Sequence, residues 1–469
     1  MTKKTFVQYI CCAALVWSAM SFSSCKRLIE IPPNPPTSIT QAQQFADSST
    51  IMTAIAALYS YPSNGTNGFT FNDGLLSPYT GISSDEMGTS QTDPDYKAFF
   101  AANLTALNYT NSSLWSDPYI ALYPVNASLE GIAASPGASA VLKQQLTGEL
   151  KVLRALYHFV LVNLYGPIPV ITTSNYKINS KLGRSSVDSV YAQIIQDLTE
   201  AKAALPTTYP SAGRARPNKY TVQAFLSKVY LYRQQWQAAY DEASAVIGAN
   251  VYYLEPDLNK VFLDGSTEAI WQLPASDGYN MTREAGNYIP YAGTLPRFFL
   301  SQQLQAAFES GDQRFQQWVS SSTIDDGTST QTYYFPYKYK QLQPGTPMED
   351  FMVFRLADIY LIRAEASAHL GHTQDALDDL DQVRSRAGLA GSTASPASQD
   401  DVIAAILHER QTELFTEWGN RWFDLKRTGT VDAVLAPLKP GWQSTDALYP
   451  IPQTQLDANI ALKQNPGYQ

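Results

Sequence analysis

From Leu142 to Leu164 apolar residues recur at 142, 146, 150, 153, 156/157, 160/161 and 164, the three-and-four spacing of one helix face, and the run stops at Gly166-Pro167. The same spacing returns at Val187, Val190, Tyr191, Ile194, Ile195, Leu198, Ala201 and Leu205, behind Ser186 as a cap and ahead of Pro206. Thr221 to Gly248 reads as two helices with a turn around Gln234-Gln235. Arg355 to Gly388 reads the same way: Leu370-Gly371-His372 forms the turn, and Ala376, Leu377 and Leu380 open the second face. The body is therefore predicted to be mainly α.

These helix pairs have the length and small-residue spacing of tetratricopeptide units, in which Ala or Gly lets two helices approach and neighbouring pairs stack into a curved scaffold. An ordinary helical hairpin would carry a similar pattern. Residues 63–113 and 250–350 have another character, rich in Gly, Ser, Thr, Asn and Asp with scattered aromatics, and Tyr333 to Lys340 is expected to form a short strand. Loops of this length in a compact domain are usually functional or disordered. Their aromatic content argues against simple disorder.

The first 24 residues change the picture. Lys3 and Lys4 precede an apolar run from Ile10 through Ala19, and Ser21, Ser23 and Ser24 stand directly before Cys25, the layout of an export leader. A cysteine at that point resembles a bacterial lipobox, which predicts cleavage before Cys25 and acylation of its thiol. An ordinary signal peptide with an incidental cysteine has a similar layout. Cys11 and Cys12 leave with residues 1–24, so the mature chain has no disulfide and no cysteine metal site. Lys26 to Pro36, with prolines at 32, 33, 35 and 36, reads as a stiff tether behind Cys25, giving an anchor-and-tether segment over 25–36. Loss of the leader's two lysines leaves 31 basic against 42 acidic side chains, a net −11, which argues against a nucleic-acid partner. No later apolar stretch is long enough to cross a bilayer.

The decisive motifs lie further on. Glu409-Arg410-Gln411-Thr412-Glu413-Leu414-Phe415-Thr416-Glu417-Trp418-Gly419-Asn420-Arg421-Trp422-Phe423-Asp424-Leu425-Lys426-Arg427-Thr428-Gly429 resembles the hallmark segment of the SusD/RagB family of nutrient-binding outer-membrane lipoproteins. Arg154-Ala155-Leu156-Tyr157-His158-Phe159 with Asn163-Leu164-Tyr165-Gly166-Pro167-Ile168-Pro169 is similar to that family's first signature. Arg355 through Ala366 is similar to its second, and Tyr449-Pro450-Ile451-Pro452 with Asn465-Pro466-Gly467-Tyr468 to its closing segment. The resemblance implies one compact body, with an N-terminal SusD-like part over 37–250 and a C-terminal RagB/SusD part over 251–469.

Physically, these motifs read as architecture. Ile403, Ile406, Leu407, Arg410, Leu414 and Trp418 fall on one helix face, Gly419-Asn420 supplies a left-handed exit, and Trp422 and Phe423 fold back as apolar anchors. Glu409, Arg410, Glu413, Arg421 and Asp424 are expected to form buried charge pairs. A catalytic role for Glu413 or Asp424 is disfavoured, because carboxylates among arginines are held ionised, the wrong state for a general acid.

Other chemistry is thin, and the reading is of no enzyme, cofactor or metal. His158, His369, His372 and His408 lie on helical patterns without metal-ligand spacing, and His369 with His372 reads as a helix-end or surface pair. Asp93 and Asp95 near Asp85-Glu86 read as solvated loop carboxylates before a calcium site. No Gly-rich phosphate loop or Gly-x-Ser-x-Gly elbow is present.

The family resemblance implies binding: a lipid-anchored lid on the cell's outer membrane that captures oligosaccharides, or peptides in RagB-like branches, and delivers them to a TonB-dependent SusC-like transporter. Surface exposure rests on the family, since Lys26-Arg27-Leu28-Ile29-Glu30 has no acidic run. A sugar needs flat aromatic faces for its C–H side and amide or carboxylate groups for its hydroxyls. Trp115, Trp236, Trp271, Trp418 and Trp422 sit in apolar patterns and read as core. The polar loops supply the ligand candidates: Tyr79, Asp85 and Tyr96 in the first, and Tyr279, Asn280, Arg283, Asn287, Tyr288 and Tyr291 in the second. Each reads equally well as a loop residue packing locally. Two other functions compete with nutrient capture: a helical-repeat scaffold that recruits surface proteins, and a surface glycan hydrolase.

Overall fold

The computed structural model describes residues 40–60, 74–275, 282–325, 327–343, 348–391 and 398–468. The expected leader, Cys25 and the expected tether lie outside them. In chain order the elements used below are α1 (Ser48–Ser60), α2 (Leu76–Ser83), β1 (Met87–Thr89), α3 (Pro94–Phe100), α4 (Tyr109–Ala134), α5 (Ala140–Tyr165), α6 (Val187–Ala204), α7 (Lys219–Tyr232) and α8 (Trp236–Ile247). Then come β2 (Ala269–Pro274), α9 (Arg283–Tyr288), β3 (Phe298–Leu300), α10 (Gln313–Trp318), β4 (Val319–Asp325), β5 (Thr330–Pro336) and β6 (Asp350–Arg355). The described chain closes with α11 (Leu356–His369), α12 (Thr373–Arg386), α13 (Gln399–Glu413) and α14 (Asn420–Arg427) before its last short helical turns.

The predicted helices form where the periodicity placed them, and their ends follow local chemistry. Ser186 caps α6 by accepting from the Ser189 N–H at 3.2 Å, and Gly166 ends α5 at a φ of +71°. Arg233 to Gln235 turn α7 into α8, and Leu370 to His372 turn α11 into α12. Packing runs in series: α4 on α5, α5 on α6, α6 on α7, α7 on α8, α8 on α11, and α11 on both α12 and α13. Small residues set the close approaches, as at Gly148, where a Cβ would lie 2.8 Å from Leu205 Cγ across the α5–α6 interface. The main apolar cluster takes in residues from Phe45 to Leu462, and a second, alanine-rich one fills the α11–α12–α13 junction.

Three expectations need correction. Residues 63–113 do not form one long loop: they contain α2, β1 and α3, and at Tyr109 they enter α4. The strand expected over Tyr333–Lys340 is β5, shifted to Thr330–Pro336 and paired antiparallel with β4. The helix face drawn through Trp418 stops at Glu413, after which Thr416, Trp418 and Gly419 take positive φ values of 56°, 51° and 71°. Gly419 is required there, since a Cβ would fall 2.8 Å from Thr80 Oγ1.

Buried charge cements the C-terminal part. Arg355, the last residue of β6, donates to Glu268 Oε1, Glu417 Oε2 and the Glu413 carbonyl, each at 2.8 Å. Arg314 on α10 holds Asp312 at 2.8 Å and Glu413 at 2.9 Å, while Arg386 also reaches Glu413. Burial pushes the Glu413 carboxyl up, yet the guanidiniums of Arg386, Arg355 and Arg314 outweigh it and hold the pKa well below the ordinary value. A second network links Arg410 to Asp424 at 2.8 Å and to Asp358 at 2.9 Å, Arg427 to Asp424 at 2.7 Å, and Lys228 to Asp358 at 3.0 Å. Burial raises the Asp424 carboxyl, but Arg410 and Arg427 pull it down to about 2. All five charged residues nominated from the hallmark segment are in such pairs, with Arg421 on Asp85. Trp115, Trp271, Trp418 and Trp422 are buried, and Trp236, half-buried, stacks on His369 at 3.8 Å.

Candidate functional site

The two polar segments meet. β1 and β3 pair antiparallel, with Met87, Gly88 and Thr89 opposite Leu300, Phe299 and Phe298. The seam extends beyond the strands: Ser90 N–H and Thr89 Oγ1 donate to the Arg297 carbonyl at 3.1 and 2.9 Å, and Ser301 N–H donates to the Glu86 carbonyl at 2.8 Å. Gly88 belongs to this closeness, because a Cβ there would lie 2.5 Å from the Phe299 ring. At a second point Asn287 Nδ2 donates to the Gly74 carbonyl at 2.6 Å.

Around the seam the aromatics gather on Phe298. Its ring centroid stands 5.9 Å from Tyr96, 6.1 Å from Tyr288 and 6.2 Å from Tyr79. Tyr79 further meets Tyr96 at 5.3 Å and Phe99 at 4.8 Å. The contacts are tilted or edge-on, the arrangements that ring quadrupoles favour. Tyr79 and Tyr288 are buried, whereas Tyr96 is half-buried at the edge of the cluster. Tyr291, in the loop that runs into β3, is 84% exposed.

Two basic side chains fasten this assembly from below. Arg421 grips Asp85 with Nε to Oδ1 at 2.8 Å and Nη2 to Oδ2 at 2.7 Å. Lys439 donates to the carbonyls of Ile82 and Phe100, both at 2.7 Å, and burial lowers its pKa to about 7. Next to Asp85, Glu86 is pushed up to about 8 by burial and by the Asp85 charge, against the opposing pull of Arg421.

The nominated residues thus take distinct places. Tyr79, Asp85, Asn287 and Tyr288 are buried, Tyr96 and Arg283 are half-buried, and Tyr291 is exposed in the loop before β3. Tyr279 and Asn280 lie outside the described residues. Asp93 is the N-cap of α3, accepting from the Asp95 N–H at 2.9 Å. Among the described residues no three His, Cys, Asp or Glu side chains cluster as a metal site would require. The sequence reading passed over Arg297 and Phe298: they sit in the short run Leu295-Pro296-Arg297-Phe298-Phe299-Leu300, where two adjacent aromatics beside a proline were the available signal.

Family comparisons align with this geometry on both sides of the seam. The model described as "SusD family" matches residues 259–468, and the one described as "Starch-binding associating with outer membrane" matches 40–231. The chain belongs to the SusD/RagB family. Its SusD-like relatives include SusD-like protein P38 of Formosa agariphila, 23% identical over 95% of this chain and 96% of that one. The fold matches a SusD superfamily protein of Bacteroides vulgatus with a TM-score of 0.81, at 22% identity and covering 90% of this chain and all of that one. A laminarin-binding SusD-like protein superimposes with a TM-score of 0.74, at 25% identity over 90% of this chain and all of that one. The SusD-like fold is therefore established, and β1–β3 joins the two matched regions.

Proposed function

We propose that this chain captures an oligosaccharide at the cell surface and delivers it to a TonB-dependent transporter of the outer membrane. The observation that carries the reading is the β1–β3 seam, which joins two aromatic-bearing polar segments, with Tyr96 at the edge of the aromatic cluster and Tyr291 exposed in the loop that runs into β3. Laminarin binding by a structurally similar protein supports a sugar as ligand. On this reading Tyr96 and Tyr291 offer ring faces to the C–H side of a pyranose, Arg283 supplies polar contact, and Tyr79, Asp85, Asn287 and Tyr288 hold the surface in shape. Tyr279 and Asn280 complete the nominated set.

Capture at a membrane needs an anchor. An acyl group on Cys25 and the proline-rich tether to Pro36 would hold the body beside its transporter while leaving it free to swing as a lid. No helix among the described residues is long and apolar enough to cross a membrane. The role is binding rather than catalysis, since the carboxylates of the hallmark segment are committed to arginines.

Isothermal titration of the protein beginning at Lys26 against plant, fungal and host glycans, with peptide digests alongside, tests the reading. A glycan that binds, and binds more weakly after Tyr96→Ala or Tyr291→Ala, supports it. A peptide ligand overturns the sugar assignment. Binding to neither, with no transporter co-purifying, overturns nutrient capture.

A further inference from the structure

Most arginines among the described residues are committed to partners. Arg154 holds Asp197, Arg216 holds Glu149, Arg363 holds Asp379 and Arg421 holds Asp85. Arg297 is different: among the described residues its guanidinium has no ion pair, hydrogen bond or ring contact, although the residue is half-buried. Its nitrogens are not among the sealed-off polar atoms, so the charge reaches solvent and is open to a ligand, in a mature chain whose excess of 11 acidic side chains supplies it no described partner.

Its position is fixed. The Arg297 carbonyl accepts from Ser90 N–H and Thr89 Oγ1, and the neighbouring Pro296 carbonyl accepts from Ser90 Oγ at 2.9 Å. The next residue is Phe298, the hub of the aromatic cluster, and the Arg297 charge is felt at the buried Tyr79 hydroxyl, where it opposes the rise caused by burial. The guanidinium is therefore carried on a pinned backbone at the surface where Tyr96 lies. The acidic groups beneath are already compensated: Asp85 is bound to Arg421, and burial keeps Glu86 protonated at neutral pH.

We infer that Arg297 is a ligand-binding residue for an anionic group, and that the glycan this surface takes is acidic, bearing carboxylates or sulfate esters. The inference rests on the sugar-binding reading above and names the class of sugar. A guanidinium presents a planar fork of donors that matches a carboxylate or a sulfate with two parallel hydrogen bonds. Neutral hydroxyls could accept those hydrogen bonds but would leave the charge uncompensated.

The test is titration of the protein from Lys26 with polygalacturonate and alginate oligomers, sulfated galactan oligomers, and neutral laminarin and amylose oligomers, at low and moderate salt. The expected result is binding of a uronate or a sulfated oligomer that weakens with salt and drops at least tenfold in Arg297→Gln, with partial recovery in Arg297→Lys. Reducing the uronate carboxyls to alcohols should abolish binding if the carboxylate is the partner, and preference for the galactan would assign the sulfate. Arg297→Gln should melt with the parent, because no described contact is lost. A neutral glycan bound equally by the parent and Arg297→Gln overturns this inference and leaves sugar capture standing. Failure of every glycan to bind overturns both.

Discussion

Arg421 and Asp85 are 336 residues apart in sequence and share two hydrogen bonds of 2.8 and 2.7 Å. The pair ties the hallmark segment to the segment that carries Tyr79 and Tyr96, and Asp85 is almost wholly buried. Arg421→Gln strands that carboxylate, so denaturant unfolding should show a loss of about 3–5 kcal/mol, as for other broken buried pairs. Adding Asp85→Asn should restore part of it. Equal stability of parent and Arg421→Gln would mean the pair is not what joins these segments.

Glu86 predicts a pH dependence. Its folded pKa of about 8 lies above the ordinary 4.5, so the folded state holds the proton more tightly and the stabilisation is lost as pH rises from about 4.5 through 8. Lys426 and Lys439, both lowered to about 7 by burial, act oppositely: their contribution is present above 10.5 and lost as pH falls through 7. The difference between parent and Glu86→Gln isolates the carboxyl. Denaturant midpoints from pH 5 to 9 should show the variant gaining on the parent as pH rises, and parallel curves would contradict the assignment.

Gly419 has a φ of +71°, and a Cβ there would press on Thr80 Oγ1 at 2.8 Å. Gly419→Ala should cost about 1–3 kcal/mol from the left-handed backbone alone. Gly429, also at φ +71° but with nothing within 4 Å of a Cβ, is the control for backbone strain without a clash. Thermal melts of the two variants should rank Gly419→Ala as the less stable.

Tyr291→Ala removes an exposed ring and should leave the melting temperature unchanged while weakening glycan binding about tenfold, equivalent to about 1.4 kcal/mol. Tyr288→Ala should do the reverse, lowering stability by about 3–5 kcal/mol as a buried aromatic truncation does. If the two variants behave alike, the division between surface and supporting residues fails.

Helices with an uninterrupted three-and-four period were legible in the chain, as Leu142–Leu164 against the observed Ala140–Tyr165 shows. Tyr109–Ala134 was not, because Pro118 and Pro124 lie inside it and its polar positions blur the face. Burial of Leu114, Trp115, Leu122 and Val125 against the neighbouring helix overrides that local cost. The charged residues of the hallmark segment announced themselves by composition, but their partners Arg314, Arg355 and Asp358 lie on other elements that no local pattern connects. The candidate surface was half legible: composition marked both segments, while three-residue strands meeting across more than two hundred positions leave no periodic trace.

The seam between Met87–Thr89 and Phe298–Leu300, fastened through Asp85 by Arg421, makes the candidate surface a property of the finished chain. A product truncated anywhere between Leu300 and Arg421 retains every nominated ligand residue and loses the guanidinium that neutralises Asp85. One truncated before Phe298 keeps Tyr96 but loses the strand on which its ring rests. Acylation at Cys25 would need none of this, so an incomplete molecule could be displayed on its lipid and still catch nothing.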